Sequence, residues 1–358
     1  MTAASPTIAR AVDSPRRDLR DLTLDELEQL AAAAGERSYR GRQVAHWLHQ
    51  KGARSFDAMR DLPSPLRAYL SERFTLAIPA VARVSRSADG TRKLLLRLGD
   101  GAEIETVIIP ADGRTTLCMS SQAGCAMGCE FCATARMGLH RNLTAAEMLG
   151  QIIAARGELA EGEALTNFVF MGMGEPLANY PMLIRTLTIM TSAWGMAISP
   201  RRITVSTVGL VPMMARLAAE IPVNLAVSLH ATTNSLRDRL APVNRRYPLE
   251  QLLDACRRLP LKRRSRITFE YVMLAGVNDS PANARRLAKL LGPVRAKVNL
   301  IFFNPFEGTA LGTSPRESVE AFQAILRKGN LTATIRESRG LDIAAACGQL
   351  YAEDHPGA

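Results

Sequence analysis

The spacing of apolar residues divides the chain into zones of different structure. Between residues 20 and 75 apolar residues recur every three or four positions, as in Leu62, Leu66 and Leu70. This spacing predicts a small helical domain, and a capping box at Thr23 and Glu26 marks the start of its first helix. Residues 76–114 form short strand-like runs separated by Gly-containing turns, which predicts an antiparallel extension. Residues 1–19 show neither pattern and are expected to form a disordered tail.

Strand-like and helix-like segments alternate from residue 115 onward, which predicts a parallel α/β sheet over 115–310. An open doubly wound sheet and a partial barrel both fit the alternation. The strands fall at 116–120, 166–171, 203–206, 224–228, 267–272 and 297–303, with helices such as 145–156, 183–192, 249–258 and 282–291 between them. A C-terminal segment, 311–358, is expected to hold a helix, a short strand at 331–335 and a further helix near 343–351.

Composition narrows the class of protein. Hydrophobic residues make up 47% of the 358, enough for a sizeable core, which excludes wholesale disorder and collagen-like repeats. The formal charge of +11 favours an anionic partner, and nucleic acid is the first candidate. No apolar run is long enough for a bilayer span and no secretory signal is visible, so the cytoplasm is expected. Candidate phosphate contacts are the basic clusters Arg201-Arg202, Arg237, Arg239, Arg245-Arg246, Arg257-Arg258 and 262–264.

Three cysteines are spaced so that one short loop could hold a metal centre. Cys125, Cys129 and Cys132 form a C-x3-C-x2-C pattern, and Phe131 beside the last thiol would shield the centre from solvent. Thiolates hold iron–sulfur clusters, and three ligands on a four-iron cluster would leave one iron open for a substrate. A structural zinc site with Cys118 as the fourth ligand is the alternative that this spacing leaves open.

Polar and small residues follow the carboxyl ends of the predicted strands, where ligands gather in parallel α/β folds. Each group alone also fits an ordinary loop, but the set converges on one rim. His230 could serve either as a general base or as part of a ligand site. The members of the set are Gly172-Met173-Gly174-Glu175-Pro176, Ser206-Thr207, Ser228-Leu229-His230 and Asn304-Pro305.

The cysteine motif resembles that of the radical S-adenosylmethionine (SAM) superfamily, which is C-x3-C-x-aromatic-C. Longer stretches resemble the RlmN-type RNA adenine-C2 methyltransferases and their C8-methylating Cfr-type relatives, over about residues 20–352. The stretches that carry this resemblance surround Cys118, Arg141, the 170–176 segment, Ser228 to Ala231, and Arg339 to Leu350. The resemblance implies a radical SAM partial (β/α)6 barrel with N-terminal helices that contact RNA and a short antiparallel β extension.

The resemblance also implies cofactors and their ligands. A 4Fe–4S cluster would be held by Cys125, Cys129 and Cys132, and two SAM molecules would be used per turnover. SAM would be contacted by Gly174, Glu175, Ser206, Ser228, Leu229, His230 and Asn304.

The implied reaction is methylation of adenine C2 through two further cysteines. Cys347 would accept a methyl group and pass its carbon to C2, after which Cys118 would form a disulfide with Cys347 and release the base. Glu105 matches a proton acceptor in the family, and either Glu105 or Cys118 would remove the C2 proton. From the residues alone, both cysteines also fit buried core thiols, and Glu105 with Glu103 fits a pair of solvated edge-strand charges. Cys256 lies at an apolar position of a predicted helix and is expected in the core.

The expected partners are 23S rRNA, tRNA, an electron donor such as flavodoxin and a thiol reductant, with the chain acting as a monomer away from membranes. Two alternatives remain open. One is C8 methylation of the same adenine, and the other is a zinc-stabilised RNA-binding protein without catalysis. Methylthiolation would need a second cysteine triad, and the three cysteines outside the first are too scattered to provide one.

Overall fold

The computed structural model describes residues 16–262 and 265–352 and divides at Ala77 into two compact units. The first unit is helical, as its apolar spacing predicts. Thr23 Oγ1 accepts a hydrogen bond from Glu26 N, and the Glu26 carboxylate accepts one from Thr23 N, so the capping box forms as predicted. The helices are α1 (Leu24–Ala33), α2 (Tyr39–His49) and α3 (Ser64–Arg73).

Part of the predicted N-terminal tail is structured. Residues 1–15 lie outside the described residues. Asp18, however, caps a single 3-10 turn at Leu19–Asp21 and accepts a hydrogen bond from Ala77 N, and Leu19 is fully buried. The expectation of a disordered tail is therefore wrong for Asp18 and Leu19, because the apolar side chain of Leu19 joins the core of the helical unit.

Within the described residues, the second unit contains a ten-stranded sheet whose strands lie side by side in the order in which they occur along the chain. The first three strands are antiparallel and form the predicted extension: β1 (Ala80–Arg86), β2 (Arg92–Arg97) and β3 (Glu103–Ala111). The next strand, β4 (Arg114–Cys118), overlaps the first strand predicted for the parallel sheet and pairs antiparallel with β3. A separate small sheet pairs β5 (Gln122–Gly124) with β6 (Leu139–Asn142).

Seven parallel strands, starting with β4, make up the rest of the large sheet. They continue with β7 (Leu165–Phe170), β8 (Ile203–Thr207), β9 (Asn224–Ser228), β10 (Ile267–Met273), β11 (Ala296–Phe302) and β12 (Thr332–Arg336). All seven residues of β10 are buried, as expected for a central strand covered on both faces. β12 extends this sheet by pairing with β11, although the sequence places that strand in a C-terminal segment.

Helices connect the parallel strands and cover the sheet. Their apolar faces join the strand side chains in one continuous core that includes Phe168, Phe269, Leu287 and Phe322. Within the part of the chain that is described, no helix is both long and apolar enough to cross a membrane. The helices are α4 (Ala145–Arg156), α5 (Tyr180–Thr191), α6 (Val211–Glu220), α7 (Asn234–Leu240), α8 (Leu249–Arg258), α9 (Pro281–Leu291) and α10 (Arg316–Lys328).

The predicted helix near 343–351 does not form. After a short turn at Leu341–Ile343, both Ala344 and Gly348 take positive φ angles, which a right-handed helix does not allow. The backbone groups of this segment instead bond to other parts of the unit, and we call residues 340–352 the C-terminal strap. Its helical prediction is wrong because these tertiary hydrogen bonds outweigh the helix propensity of an alanine-rich stretch.

Candidate active site

The carboxyl ends of the parallel strands surround a cavity of about 160 Å³. Three predicted groups meet there: the three motif cysteines, the glycine-rich segment after β7, and the polar ends of β8 and β9. The strap adds Cys347. Of the predicted site residues, the cavity is lined by Cys125, Cys129, Cys132, Gly174, Glu175, Ser206, Ser228, His230 and Cys347.

The loop that carries the three cysteines is fixed by backbone hydrogen bonds. Cys125 N donates to Gly138 O (2.7 Å), and Cys132 N donates to Cys129 O (3.2 Å). The ring of Phe131 packs edge-on against His230, with 4.3 Å between centroids, and lines the same cavity. The three thiols are therefore held in a preformed loop that lines the cavity.

The electrostatics of the three thiols suit a cationic iron centre. Burial raises the pKa of Cys125 to about 11 and that of Cys129 well above its usual value, and repulsion from neighbouring thiolates adds to the increase. A cluster would stabilise the thiolate forms that burial disfavours. Among the described residues, no three His, Cys, Asp or Glu side chains stand close enough together to hold a single metal ion. In a 4Fe–4S cluster each thiolate binds a different iron, so its ligands need not converge on one point.

The segment after β7 presents backbone to the cavity. Gly174 has a φ angle of +96°, and a Cβ there would lie 2.5 Å from the side chain of Gln122, so only glycine fits. The Glu175 carboxylate accepts hydrogen bonds from Leu177 N (3.0 Å) and Val208 N (2.8 Å). Burial raises the pKa of Glu175 to about 7. Glu175 thus ties the end of β7 to the end of β8 while facing the cavity.

His230 is held as a neutral ring. It has a φ angle of +58°, and its Nδ1 accepts a hydrogen bond from Val272 N (3.0 Å). Burial and the nearby Arg237 lower the pKa of His230 to about 3. With Nδ1 accepting, the ring proton lies on Nε2, so His230 is a hydrogen-bond donor rather than a general base. Leu229 beside it lies in the core and offers only backbone.

Cys118 and Cys347, which lie far apart in the sequence, line a second cavity of about 50 Å³. Cys118 is the last residue of β4, and burial together with the neighbouring Cys347 raises its pKa to about 12. Cys347 is exposed on the non-helical strap and borders both cavities, so the interpretation as a buried helical thiol is wrong. Asn304 lines only the smaller cavity, where its Nδ2 donates to Cys347 O (3.1 Å) and its Oδ1 accepts from Ser338 Oγ (2.6 Å).

Glu105 is fully buried, and Glu103 is 3% exposed, so the interpretation as solvated edge charges is wrong. Strand β3 is paired on both sides, with β2 and β4, and each carboxylate has a cation from β2. Lys93 Nζ lies 2.8 Å from Glu105 Oε1, and Arg97 Nη2 lies 2.8 Å from Glu103 Oε1. Glu105 lines neither cavity.

Arg237 is fully buried, so it cannot contact RNA as its place among the basic clusters predicts. Its guanidinium donates to three carbonyl oxygens at the ends of β8 and β9: Val208 O (2.6 Å), Ser228 O (3.2 Å) and Leu229 O (3.2 Å). Its predicted role is wrong because a basic residue on a short helix gives no sign of which face is buried. The exposed members of the basic clusters are Arg201, Arg202, Arg239, Arg245, Arg246, Arg257, Arg258 and Lys262, and 263–264 lie outside the described residues.

Replacing Arg237 with methionine is expected to remove the guanidinium donor from those three carbonyl oxygens, of which Leu229 O keeps a hydrogen bond from Ala231 N (2.8 Å). The free energy of unfolding should fall by about 3 kcal/mol, and SAM affinity by about tenfold, because the strand ends that line the cavity lose their common anchor. Chemical denaturation and calorimetric titration of the cluster-loaded protein measure the two effects. Arg285→Met, at an exposed position of α9, is the matched control and should change neither.

Sequence reasoning missed Lys93 and Arg336. Arg336, the last residue of β12, lines both cavities, and its proximity to Cys347, with smaller contributions from Glu270 and Cys118, raises its pKa. The strand-end rule would have found Arg336 if residues 331–335 had been recognised as the seventh parallel strand. Cys256 is buried on α8, as predicted.

Comparison with known proteins agrees with this geometry. Residues 119–288 match the radical SAM superfamily, and residues 17–76 match the ribosomal RNA large subunit methyltransferase N-terminal domain. The crystal structure of a radical SAM methyltransferase from Sphaerobacter thermophilus is 50% identical, with a TM-score of 0.89, and the match covers 94% of this chain and all of that one. The class is therefore that of the radical SAM proteins, and the predicted fold class is confirmed.

The relatives narrow the class to one family. The dual-specificity RNA methyltransferase RlmN of Anaeromyxobacter sp. (strain Fw109-5) is 53% identical over 96% of this chain and 93% of its own length. A probable dual-specificity RNA methyltransferase RlmN of Moorella thermoacetica is 52% identical over 94% of this chain and 97% of its own length. The chain belongs to the RlmN family.

Proposed function

We propose that this protein methylates C2 of adenine in RNA, using a 4Fe–4S cluster and SAM. The observation that carries the proposal is the position of Cys347, which borders both the cavity of the three motif cysteines and the cavity that contains Cys118. A thiol at this junction can accept a methyl group in one cavity and be resolved by a second thiol in the other. The relatives are named as RNA methyltransferases, which supports RNA as the substrate.

In this proposal Cys125, Cys129 and Cys132 hold the cluster. Gly174, Glu175, Ser206, Ser228, Leu229 and His230 bind SAM from the strand ends, and Asn304 completes the set from the smaller cavity. When bound, the cluster and SAM supply a transferable methyl group and the one-electron chemistry that removes hydrogen from an unactivated carbon. The protein's own contribution is to bury the thiols of Cys125 and Cys129, to fix the strand ends through Glu175 and Arg237, and to keep His230 neutral.

Two cysteines carry the one-carbon unit in this proposal. Adenine C2 is electron-poor and has no leaving group, so it cannot attack a methyl sulfonium directly. Cys347 instead accepts the methyl carbon on sulfur, and its tether makes addition to C2 effectively intramolecular. The adduct must first lose the C2 proton and the unpaired electron, which the cluster, oxidised when it reduces SAM, would take back. The Cys118 sulfur then attacks the Cys347 sulfur: the S–S bond forms, the S–C bond breaks, and the electron pair stays on the carbon, which takes up the proton released by the Cys118 thiol. Glu105, the proposed acceptor of the C2 proton, can reach the base only if the strap residue Tyr351 leaves it.

The proposed partners follow from this chemistry. The substrates are 23S rRNA and tRNA, whose phosphates the exposed arginines of the basic clusters can contact. An electron donor such as flavodoxin reduces the cluster, and a thiol reductant reopens the disulfide between Cys118 and Cys347. A reducing compartment, the cytoplasm, suits six cysteines that are all free in the described chain, and a monomer is sufficient for the reaction.

The proposal predicts that anaerobically reconstituted protein contains about four irons per chain and transfers a methyl group to adenine C2. The experiment measures iron and sulfide, incubates the protein with SAM, a reductant and unmodified 23S rRNA fragment or tRNA, and maps the methyl group by mass spectrometry of nucleosides. Methyl at C8 would replace the proposal with the Cfr-type reaction. One zinc per chain with no absorbance near 400 nm would support the non-catalytic RNA-binding alternative.

A further inference from the structure

The C-terminal strap carries Cys347 on a segment without regular secondary structure, so its position depends on contacts to the rest of the unit. Close to the thiol, Asn304 Nδ2 donates to Cys347 O, and Gly348 O accepts from Ala133 N (2.7 Å) in the cysteine loop. Thr134 Oγ1 donates to Leu350 O (2.6 Å). These contacts hold the strap to the rim of the two cavities.

A second set of contacts comes from the antiparallel extension and reaches the strap on both sides of Cys347. Lys93 Nζ donates to Ala344 O (3.3 Å), three residues before the thiol. The carboxylate of Glu105 accepts from Tyr351 N (2.8 Å), four residues after it. Lys93 and Glu105 are themselves joined by an ion pair of 2.8 Å, with side-chain exposures of only 8% and 1%. One buried ion pair thus contacts both flanks of the Cys347 segment.

We propose that Lys93 is a positioning residue that, together with Glu105, clamps the Cys347 strap and keeps the thiol at the junction of the two cavities. The role of the clamp in the reaction rests on the proposed function. The two hydrogen bonds and the ion pair that form the clamp are observed in the structure. The clamp also covers Glu105, because the oxygen that would take up a proton from a substrate is bonded to Tyr351 N. Release of the strap at Tyr351 would therefore free one oxygen of the Glu105 carboxylate, while the other oxygen stays paired with Lys93.

The geometry favours a clamp over a purely structural ion pair. Lys93 and Glu105 are diagonal neighbours on one face of the β2–β3 pair, where Glu105 lies opposite Leu95 and Lys93 lies opposite Val107. Arg97 and Glu103 form a second ion pair across the same two strands, at 2.8 Å, and within the described residues neither side chain hydrogen-bonds to the strap. Only the Lys93–Glu105 pair hydrogen-bonds to the strap, so the Arg97–Glu103 pair is a matched control.

The test compares Lys93→Met with Lys93→Arg and Arg97→Met in the cluster-loaded, RNA-free protein. Hydrogen–deuterium exchange of strap peptides is expected to be about tenfold faster in Lys93→Met, with exchange of α4 unchanged. Lys93→Arg should restore most of the protection, since a guanidinium can bond to both the carboxylate and the carbonyl oxygen. Arg97→Met should exchange like the wild type in the strap. Strap exchange in Lys93→Met equal to that of the wild type, or an equal increase in Arg97→Met, would overturn the clamp.

A second readout follows Cys347 itself. Transfer of a methyl group from SAM to Cys347 without RNA, monitored as a mass increase of the strap peptide, should be about tenfold slower in Lys93→Met at an unchanged KM for SAM. A general loss of structure would alter iron content and KM as well.

If Lys93→Met fails to fold, Tyr351→Pro removes the strap N–H with the ion pair intact and should raise strap exchange. Unchanged strap exchange in Tyr351→Pro would also overturn the clamp. If wild-type Cys347 takes up no methyl group, the proposed function fails, while the exchange experiment still decides the clamp.

Discussion

Replacing Cys118 with alanine is expected to trap RNA covalently on Cys347 and to lower the yield of freely released methylated RNA by at least about 100-fold. The reason is the small cavity that the two thiols share. A neighbouring thiol held in place acts at an effective concentration far above that of any thiol in the buffer, so external thiols replace Cys118 only slowly.

The measurement is a denaturing gel of the reaction with labelled RNA, followed by digestion and mass spectrometry to locate the crosslink at Cys347. Cys256→Ala is the matched control, because Cys256 is equally buried but lies on α8, away from both cavities. It should release product at the normal rate. Free, fully methylated RNA from Cys118→Ala at the wild-type rate would contradict the resolving role of Cys118.

The sequence could predict the strand ends because each depends on local pattern. The predicted strand at 224–228 and the helices at 145–156 and 249–258 agree with the structure at both ends, since each is bounded by clear breakers or caps. The rule that polar residues follow parallel strands accounts for eight of the predicted site residues that line one cavity, and the ninth, Cys347, is predicted only by the family resemblance. Each of these motifs alone is weak evidence, but the rule that ligands bind at the carboxyl ends of parallel strands predicts one site from all of them.

The strap could not be predicted in this way. Residues 343–347 read Ile-Ala-Ala-Ala-Cys, which favours a helix when only local propensity is counted. In the structure Gly348 has a φ angle of +85°, and a Cβ there would lie 2.9 Å from Phe131 O. Close approach to the cysteine loop therefore decides the conformation, and that contact joins segments that are distant in the sequence.

The burial of charged side chains also could not be predicted from the sequence. An alternating strand gives Glu103 and Glu105 the same face but does not say whether that face meets solvent or another layer. The answer depends on β4, which pairs with β3, and on the strap, whose Tyr351 N reaches Glu105. The sequence likewise predicts that Arg237 contacts RNA, because a positive charge indicates an anionic partner but does not show whether the side chain reaches the surface.

Replacing Cys347 with alanine is expected to abolish methyl transfer to RNA, by more than about 1,000-fold, while the cluster assembles normally. Alanine removes the only atom in the proposal that accepts the methyl carbon, and a direct attack by C2 on SAM has no chemical path. Iron content and the visible spectrum should match the wild type, because the three thiols of the cysteine loop are held by their own backbone hydrogen bonds.

The measurement pairs an anaerobic iron count with tritiated methyl transfer from SAM to tRNA. Cys347→Ser, which retains a polar atom but not a comparable nucleophile, should be equally inactive. Loss of iron in either variant would mean that Cys347 is a cluster ligand rather than the methyl acceptor.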